Sequence, residues 1–348
     1  MRTIAYIEID THAEIAQAFM EIIQDSREFT VDYYFSKKIK DQIIDNGETI
    51  FLSDSSLILD QLKSKRYDLI IIGTVHRYFN TFQTIMERYN SAMIVHNLNF
   101  SKISKINLIK SVFKEDIIYR LKLWWKESLI HSSKIYHTAR SLLVLDQEMA
   151  LGQYKYLPVF YTKVFDKAEN KDLIIVIPGG VSQKRRDYEH VFSIIKNVKV
   201  SENYTFIFLG KAKNHELKQL KTLSENLPGN ITIKYFSDRV SSNDFETWMR
   251  KADVLWCPIQ QKTEFFGQKE IYGVTKMTGN LGDAIKYGKM AVFPRGFSSK
   301  LDFIVSEKEN IFEQFEELKN SRFDFQKNYG KTIVLRKLEQ VLSDLVSI

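Results

Sequence analysis

One cysteine, Cys257, stands among 348 residues, which excludes an internal disulfide framework and a cysteine-based zinc site. Its setting, Val254-Leu-Trp-Cys-Pro258, reads as a buried strand with the thiol as a small core group. Prolines number five and glycines 14, too few for a Pro- or Gly-rich linker or a fibrous repeat. No apolar run approaches the roughly 20 residues that a membrane-spanning helix needs. The opening Met-Arg-Thr-Ile-Ala-Tyr-Ile-Glu-Ile-Asp carries acids where a signal peptide would be apolar, so a cytoplasmic protein is expected. There is no Asp-x-Asp metal motif.

What the chain does have is 44% hydrophobic and 27% charged residues, a globular composition, at a length that favours two domains. Its net charge of +7 is concentrated. Between Ser101 and Arg140, nine basic residues face three acids, a local +6 that calls for an anionic partner. Within that stretch Ile106, Ile109, Phe113, Ile117, Leu121 and Trp124 recur at helical spacing. Lys105, Lys110, Lys114, Lys122 and Lys126 interleave with them, and Trp125 follows. The pattern fits either a core helix with a basic outer face or a helix lying on an anionic membrane surface. It carries no nucleic-acid motif, and no nucleic-acid partner is expected.

Buried strands alternate with helices throughout, which predicts an α/β protein with mainly parallel sheets. Strands are expected at Thr3–Ile9, Phe29–Phe35, Tyr67–Gly73, Ala92–His96 and Ser141–Leu145. After a polar stretch at 161–171 the pattern restarts with strands at 173–177, 204–209, 231–236 and 253–258. Two Rossmann-like domains follow, 1–163 and 164–332, facing across a cleft. A terminal helix over 333–348, carrying Val334, Leu338, Val341 and Leu345, is expected to pack back across them.

The stretch from Glu270 to Pro294 holds Gly273, Gly279, Gly282 and Gly288 and reads as loop, helix, tight turn and buried strand. Glycines ahead of a helix let backbone N–H groups meet an anion, and the helix N-terminus adds partial positive charge. Lys276 would add a full charge. Strand ends in open α/β sheets are where ligands bind. Gly179, Gly180, Lys211, the 237–242 loop and the Glu270–Asp283 stretch all fall at such ends.

At these residues the second half resembles the donor-binding domain of GT-B glycosyltransferases, especially the retaining, glycogen-synthase-like group. Asp283-Ala-Ile-Lys-Tyr-Gly-Lys-Met-Ala-Val-Phe-Pro294 is similar to that group's Glu-Ala-Met-Ala-x-Gly-x-Pro-Val-Val segment. The resemblance implies that Asp283 binds ribose hydroxyls of a UDP- or GDP-linked sugar and that Arg239 and Val240 frame the base. It gives the diphosphate to Lys184 or Arg185, with Arg186 as the third contender in Pro178-Gly-Gly-Val-Ser-Gln-Lys-Arg-Arg186. Glu270, Gly273, Gly279 and Lys276 complete the donor side. The group's paired glutamates are absent here, since Thr275 stands eight positions before Asp283. The implied activity is metal-independent transfer of a hexosyl group to a glycan or lipid-linked acceptor, without a cofactor. His96 would touch the donor sugar and share catalysis with Lys276, while Asp10 and His12 lie on the acceptor side. Retention needs no base, whereas inversion would draw on Asp10, Glu14 or His12. A sugar-nucleotide epimerase and a degenerate, glycan-binding protein are the alternatives.

Overall fold

A computed structural model of the chain describes all residues except 46, 113–116, 130–131, 166–170 and 348. Two compact units emerge. The first opens with β1 (Arg2–Glu8), α1 (Ala13–Ile23), β2 (Phe29–Phe35), α2 (Lys37–Lys40), β3 (Thr49–Leu52) and α3 (Ile58–Lys63). It continues through β4 (Leu69–Ile72), α4 (Phe79–Arg88), β5 (Ser91–Ile94), α5 (Leu98–Ser101), α6 (Lys105–Val112), α7 (Ile117–Glu127) and α8 (Ser132–Thr138) to β6 (Ser141–Val144) and β7 (Tyr154–Tyr156). These strands form one parallel sheet in the order β3-β2-β1-β4-β5-β6-β7. Central strands such as β4, Leu-Ile-Ile-Ile, are buried along their whole length, as helices on both faces of a parallel sheet require.

The second unit starts again with β8 (Leu173–Pro178), α9 (Tyr188–Lys196), β9 (Tyr204–Lys211), α10 (Asn214–Glu225), β10 (Ile231–Phe236), α11 (Ser242–Lys251) and β11 (Val254–Trp256). A hairpin of β12 (Lys262–Phe265) and β13 (Gln268–Ile271) follows, then α12 (Gly279–Tyr287), β14 (Ala291–Phe293), β15 (Ile304–Ser306) and α13 (Ile311–Asn320). Its sheet runs β10-β9-β8-β11-β14-β15, again parallel. Both units are Rossmann-like. The last elements are α14 (Phe325–Tyr329) and α15 (Lys331–Val346).

The partition differs from a simple cut at 164 and 332. The first unit comprises Met1–Tyr161, Glu264–Met277 and Tyr329–Ile348. Phe265, Phe266 and Met277 explain the middle piece, because they pack against the first unit's core. Phe100 meets the Phe265 ring edge-on at 5.0 Å and the Phe266 ring at 5.4 Å. The hairpin turns at Phe266 and Gly267, both at positive φ, as a two-residue turn between twisted strands demands.

Helix α15 likewise groups with the first unit. Val334, Leu338, Leu342 and Leu345 are buried beside the apolar face of α1. Leu342, not Val341, completes the buried stripe. Four such side chains stabilise by about 1.5–3 kcal/mol each. The Lys331–Asp25 ion pair at 2.7 Å is half-exposed and worth under about 1 kcal/mol, so apolar burial decides where the helix lies.

Candidate active site

In the first unit β1 lies between β2 and β4, so the direction of winding reverses beside it and the loops after β1, β4 and β5 emerge together. Each loop brings a histidine: His12, His76 and His96. Glu8 organises the first turn. It is 1% exposed, and one carboxylate oxygen accepts the N–H groups of Asp10 and Thr11, both at 3.1 Å. The other accepts the Thr74 hydroxyl at 2.6 Å. The turn curls around this carboxyl and delivers His12 in the left-handed conformation, φ 65 and ψ 42. That conformation costs a non-glycine residue roughly 1–3 kcal/mol. Part of the return is that the His12 carbonyl accepts the N–H groups of Ile15 and Ala16 and starts α1.

The His12 ring stacks on His96 with centroids 4.1 Å apart, and its Nδ1 meets Glu14 Oε1 at 2.9 Å. His96 Nε2 donates to the Gly73 carbonyl at 2.8 Å. A side chain at Gly73 would strike the Glu8 carboxylate, so glycine is what lets the loops close up. His76 stands edge-on to both rings and packs on Phe265 at 4.5 Å.

Electrostatics separates the three rings. Burial, followed by the positive charges of His12 and Lys276, pushes His76 down to about 3. Burial first, and then the charges of its two histidine neighbours, holds His96 well below the ordinary imidazole value. Burial pulls His12 the same way, but the hydrogen bond and charge of Glu14, with the charge of Glu8, outweigh it and raise its pKa. Of the three rings, His12 alone has its pKa raised, with Glu14 orienting it and held below its usual range in return. Glu8 itself is pushed up to about 7 by burial, against the pull of Thr74, the turn N–H groups and His12. Asp10 is raised by burial, and its carbonyl, not its carboxylate, accepts Lys38 at 2.9 Å. Two buried oxygens at this end, Thr11 Oγ1 and Asn97 Oδ1, lack a protein partner. Ligand or water hydroxyls are their natural complement.

Three residues expected on the donor side lie in the first unit. Glu270 is fully buried, and its carboxylate accepts the N–H groups of Phe100 at 2.9 Å and Asn99 at 3.3 Å. It is thereby committed to fastening the 264–277 segment onto α5. Gly273, at φ 79, serves a tight turn in which its N–H meets the Lys276 carbonyl. Lys276 lies beside the Phe265 and Tyr272 rings and close enough to depress all three histidines. His96 points one ring nitrogen at a backbone carbonyl and one face at His12, which makes it a support for His12.

In the second unit Gly179, at φ 99, and Gly180 turn the chain away from the end of β8. Side chains at Gly179 or Gly210 would collide with the Arg186 guanidinium and the Gly179 backbone respectively, so three strand-end features meet closely. Lys184 and Arg185 are exposed, whereas Arg186 turns inward. Arg186 reaches the Gly180 carbonyl at 3.4 Å and Asn280 Oδ1 at 3.3 Å, and its buried Nε has no partner. Asn280 sits at the N-terminal end of α12, where Thr278 caps the helix and Asn280 Nδ2 donates to the Pro178 carbonyl at 3.2 Å. Gly279 opens that helix, and Gly288, left-handed at φ 61, closes it before β14. Asp283, one turn beyond Asn280, is half-buried and near enough to Cys257 to help burial raise that thiol, as Arg186 lowers it. Lys211 is tied to Asp238 at 3.3 Å on the surface. Arg239 is exposed in the following loop and Val240 half-exposed. The inward cation is thus Arg186, two residues before Tyr188 opens the apolar face of α9.

Among the described residues no three His, Cys, Asp or Glu side chains are arranged to hold a metal ion. No protein-family profile matches this sequence, and no curated protein sequence does. Solved structures match over the whole length. An α-glucosyltransferase in complex with UDP-glucose and DNA containing an abasic site gives a TM-score of 0.56 at 12% identity, covering 100% of each chain. A lipopolysaccharide outer core galactosyltransferase in apo form gives 0.56 at 11%, covering 99% of each. The fold is GT-B. The glycosyltransferase of kitacinnamycin gives 0.53 at 10%, with 98% of each chain covered. At such identities the likeness speaks for the GT-B fold and leaves the glycogen-synthase-like subgroup open.

Proposed function

We propose that this protein is a glycosyltransferase that moves a hexosyl group from a UDP- or GDP-linked sugar to a glycan or lipid-linked acceptor. The observation that carries the reading is the cradle in the second unit: the inward-turned, half-buried Arg186 with a buried, unpartnered Nε, a glycine turn, and the N-terminus of α12. Donors and partial positive charge converging there suit a diphosphate. Asp283, one turn along, suits ribose hydroxyls. That an α-glucosyltransferase of this fold was solved with UDP-glucose supports the same use.

In the reaction the acceptor oxygen bonds to the anomeric carbon as the carbon–oxygen bond to the diphosphate breaks. His12 takes the acceptor proton, held in place by Glu14 and His96. Charge developing on the leaving group falls to Arg186 and the α12 N-terminus, so no metal is required. A paired base is superfluous for retention, and the His12–Glu14 pair therefore favours inversion over the retaining course that the sequence resemblance implied. The reading includes work at the cytoplasmic face of a membrane, in assembly of a cell-surface polysaccharide.

The test is release of nucleoside diphosphate from a panel of UDP- and GDP-sugars with glycan, lipid-linked and DNA acceptors, with and without EDTA. Acceptor-dependent release that survives chelation is expected. Sugar interconversion without diphosphate release would make the protein an epimerase, and binding without turnover would make it a degenerate relative.

A further inference from the structure

Helix α7 is built inside out. Its buried face carries Arg120, Leu123 and Glu127, and its exposed face carries Ile118, Leu121 and Trp125. Ile118 and Trp125 are 88% and 84% exposed, and Ile106 on α6 is 66% exposed. The inward face is complete. Leu123 lies in the core and Arg120 stands over the Phe266 ring at 5.5 Å. Glu127 accepts Arg77 at 3.0 Å and the Tyr78 N–H at 2.8 Å. Leu108 does for α6 what Leu123 does for α7. The apolar residues outside are therefore not a displaced core face.

Positions 118, 121, 122 and 125 share one face of α7 at three- and four-residue spacing. Ile106, Ile109 and Ile117 are exposed as well. Lys105, Lys110, Lys122 and Lys126 are all exposed on the same two helices, and the one acid of the described part, Glu127, faces inward. The expected stripe members Phe113 and Lys114 lie outside the described residues.

We infer that the outer face of α6 and α7 docks on an anionic lipid surface, with Ile118, Leu121 and Trp125 entering the headgroup region and the lysines meeting lipid phosphates. Isolated exposed apolar residues are ordinary, but a cluster of them ringed by one sign of charge marks a site of contact. Lysine stems can extend along apolar surface while the ammonium stays at the headgroups, and an indole suits the same interface. A second copy of the chain would set lysine against lysine, so charge complementarity points to the bilayer. The inference goes beyond the proposed transfer reaction and does not depend on it, although a lipid-linked acceptor would give the docking a use.

The experiment is flotation of the full chain with vesicles of neutral phosphatidylcholine, or of phosphatidylcholine with anionic phosphatidylglycerol, at low and high salt. Binding should need the anionic lipid and weaken in high salt. Lys122→Glu/Lys126→Glu should lower the partition constant by at least about tenfold, since each basic group contributes roughly 1 kcal/mol at such a surface. Ile118→Glu/Trp125→Glu should abolish binding at unchanged melting temperature, because both positions are exposed. Equal binding to neutral vesicles, no binding at all, or a lipid-free dimer that Ile118→Glu dissociates would each overturn the inference. None of these readouts requires turnover, so failure here is distinct from failure of the transferase reading.

Discussion

At the scale of single residues, Glu8 and His12 carry opposite consequences of one compact turn. Glu8 is raised from its ordinary value to about 7, chiefly by burial. A carboxyl raised on folding contributes stability that is full below its unfolded pKa, near 4.5, and is lost as pH climbs through the folded one. The span corresponds to about 3 kcal/mol. Glu8→Gln keeps the shape and the acceptor for the Asp10 and Thr11 N–H groups but cannot ionise. Urea unfolding at pH 5 and pH 8 should therefore show a smaller fall in stability for Glu8→Gln than for the wild type; equal falls would refute the role of Glu8.

His12 is raised by Glu14 and Glu8 against the pull of burial. As a base it must be neutral, so activity should rise with pH through its elevated pKa. Its stabilising pairing with Glu14 runs the other way, present below about 6.5 and lost as the ring deprotonates. Glu14→Gln should move the His12 titration seen by NMR downward, and His12→Ala should cut kcat by on the order of 10²–10⁴-fold. An unmoved titration and an active His12→Ala would remove the base from the mechanism.

At the scale of elements, legibility followed burial and periodicity. Phe29–Phe35 shows its strand in sequence because β-branched and aromatic residues dominate it, and the restart at Leu173 shows because Leu-Ile-Ile-Val-Ile is buried on both faces. Strand β3 does not, since it lies at the sheet edge with three of four residues exposed, and a three-residue strand such as β7 carries too little pattern. Helix α12, its left-handed Gly288 and β14 were readable in order. The packing of 264–277 was not, because it depends on Phe265, Phe266 and Glu270 finding partners more than 130 positions away in sequence, and spacing alone carries no such information. The same holds for Arg186: among three adjacent cations, only the fold shows which one turns inward. Glu270→Ala should leave the N–H groups of Asn99 and Phe100 without their acceptor, at a cost of about 1–3 kcal/mol. Thermal unfolding and protease sensitivity of the 264–277 segment measure it; an unchanged melting temperature and cleavage rate would deny Glu270 its fastening role.

At the scale of the whole molecule, two Rossmann-like units each gather polar side chains at the carboxyl ends of their strands, the His12–Glu14 pair stacked on His96 in one and the inward-turned Arg186 beside the N-terminus of α12 in the other. The proposed cradle makes a specific demand on nucleotide binding. Isothermal titration calorimetry of UDP and GDP against wild type, Arg186→Ala and Asp283→Ala tests that demand most directly. At least one nucleotide should bind the wild type without added metal. Each substitution should weaken that binding by about 1–3 kcal/mol, or roughly 5- to 150-fold, while Lys184→Ala, at an exposed position, should change it little. Nucleotide affinity unaltered by Arg186→Ala and Asp283→Ala in folded protein would contradict the account at its centre.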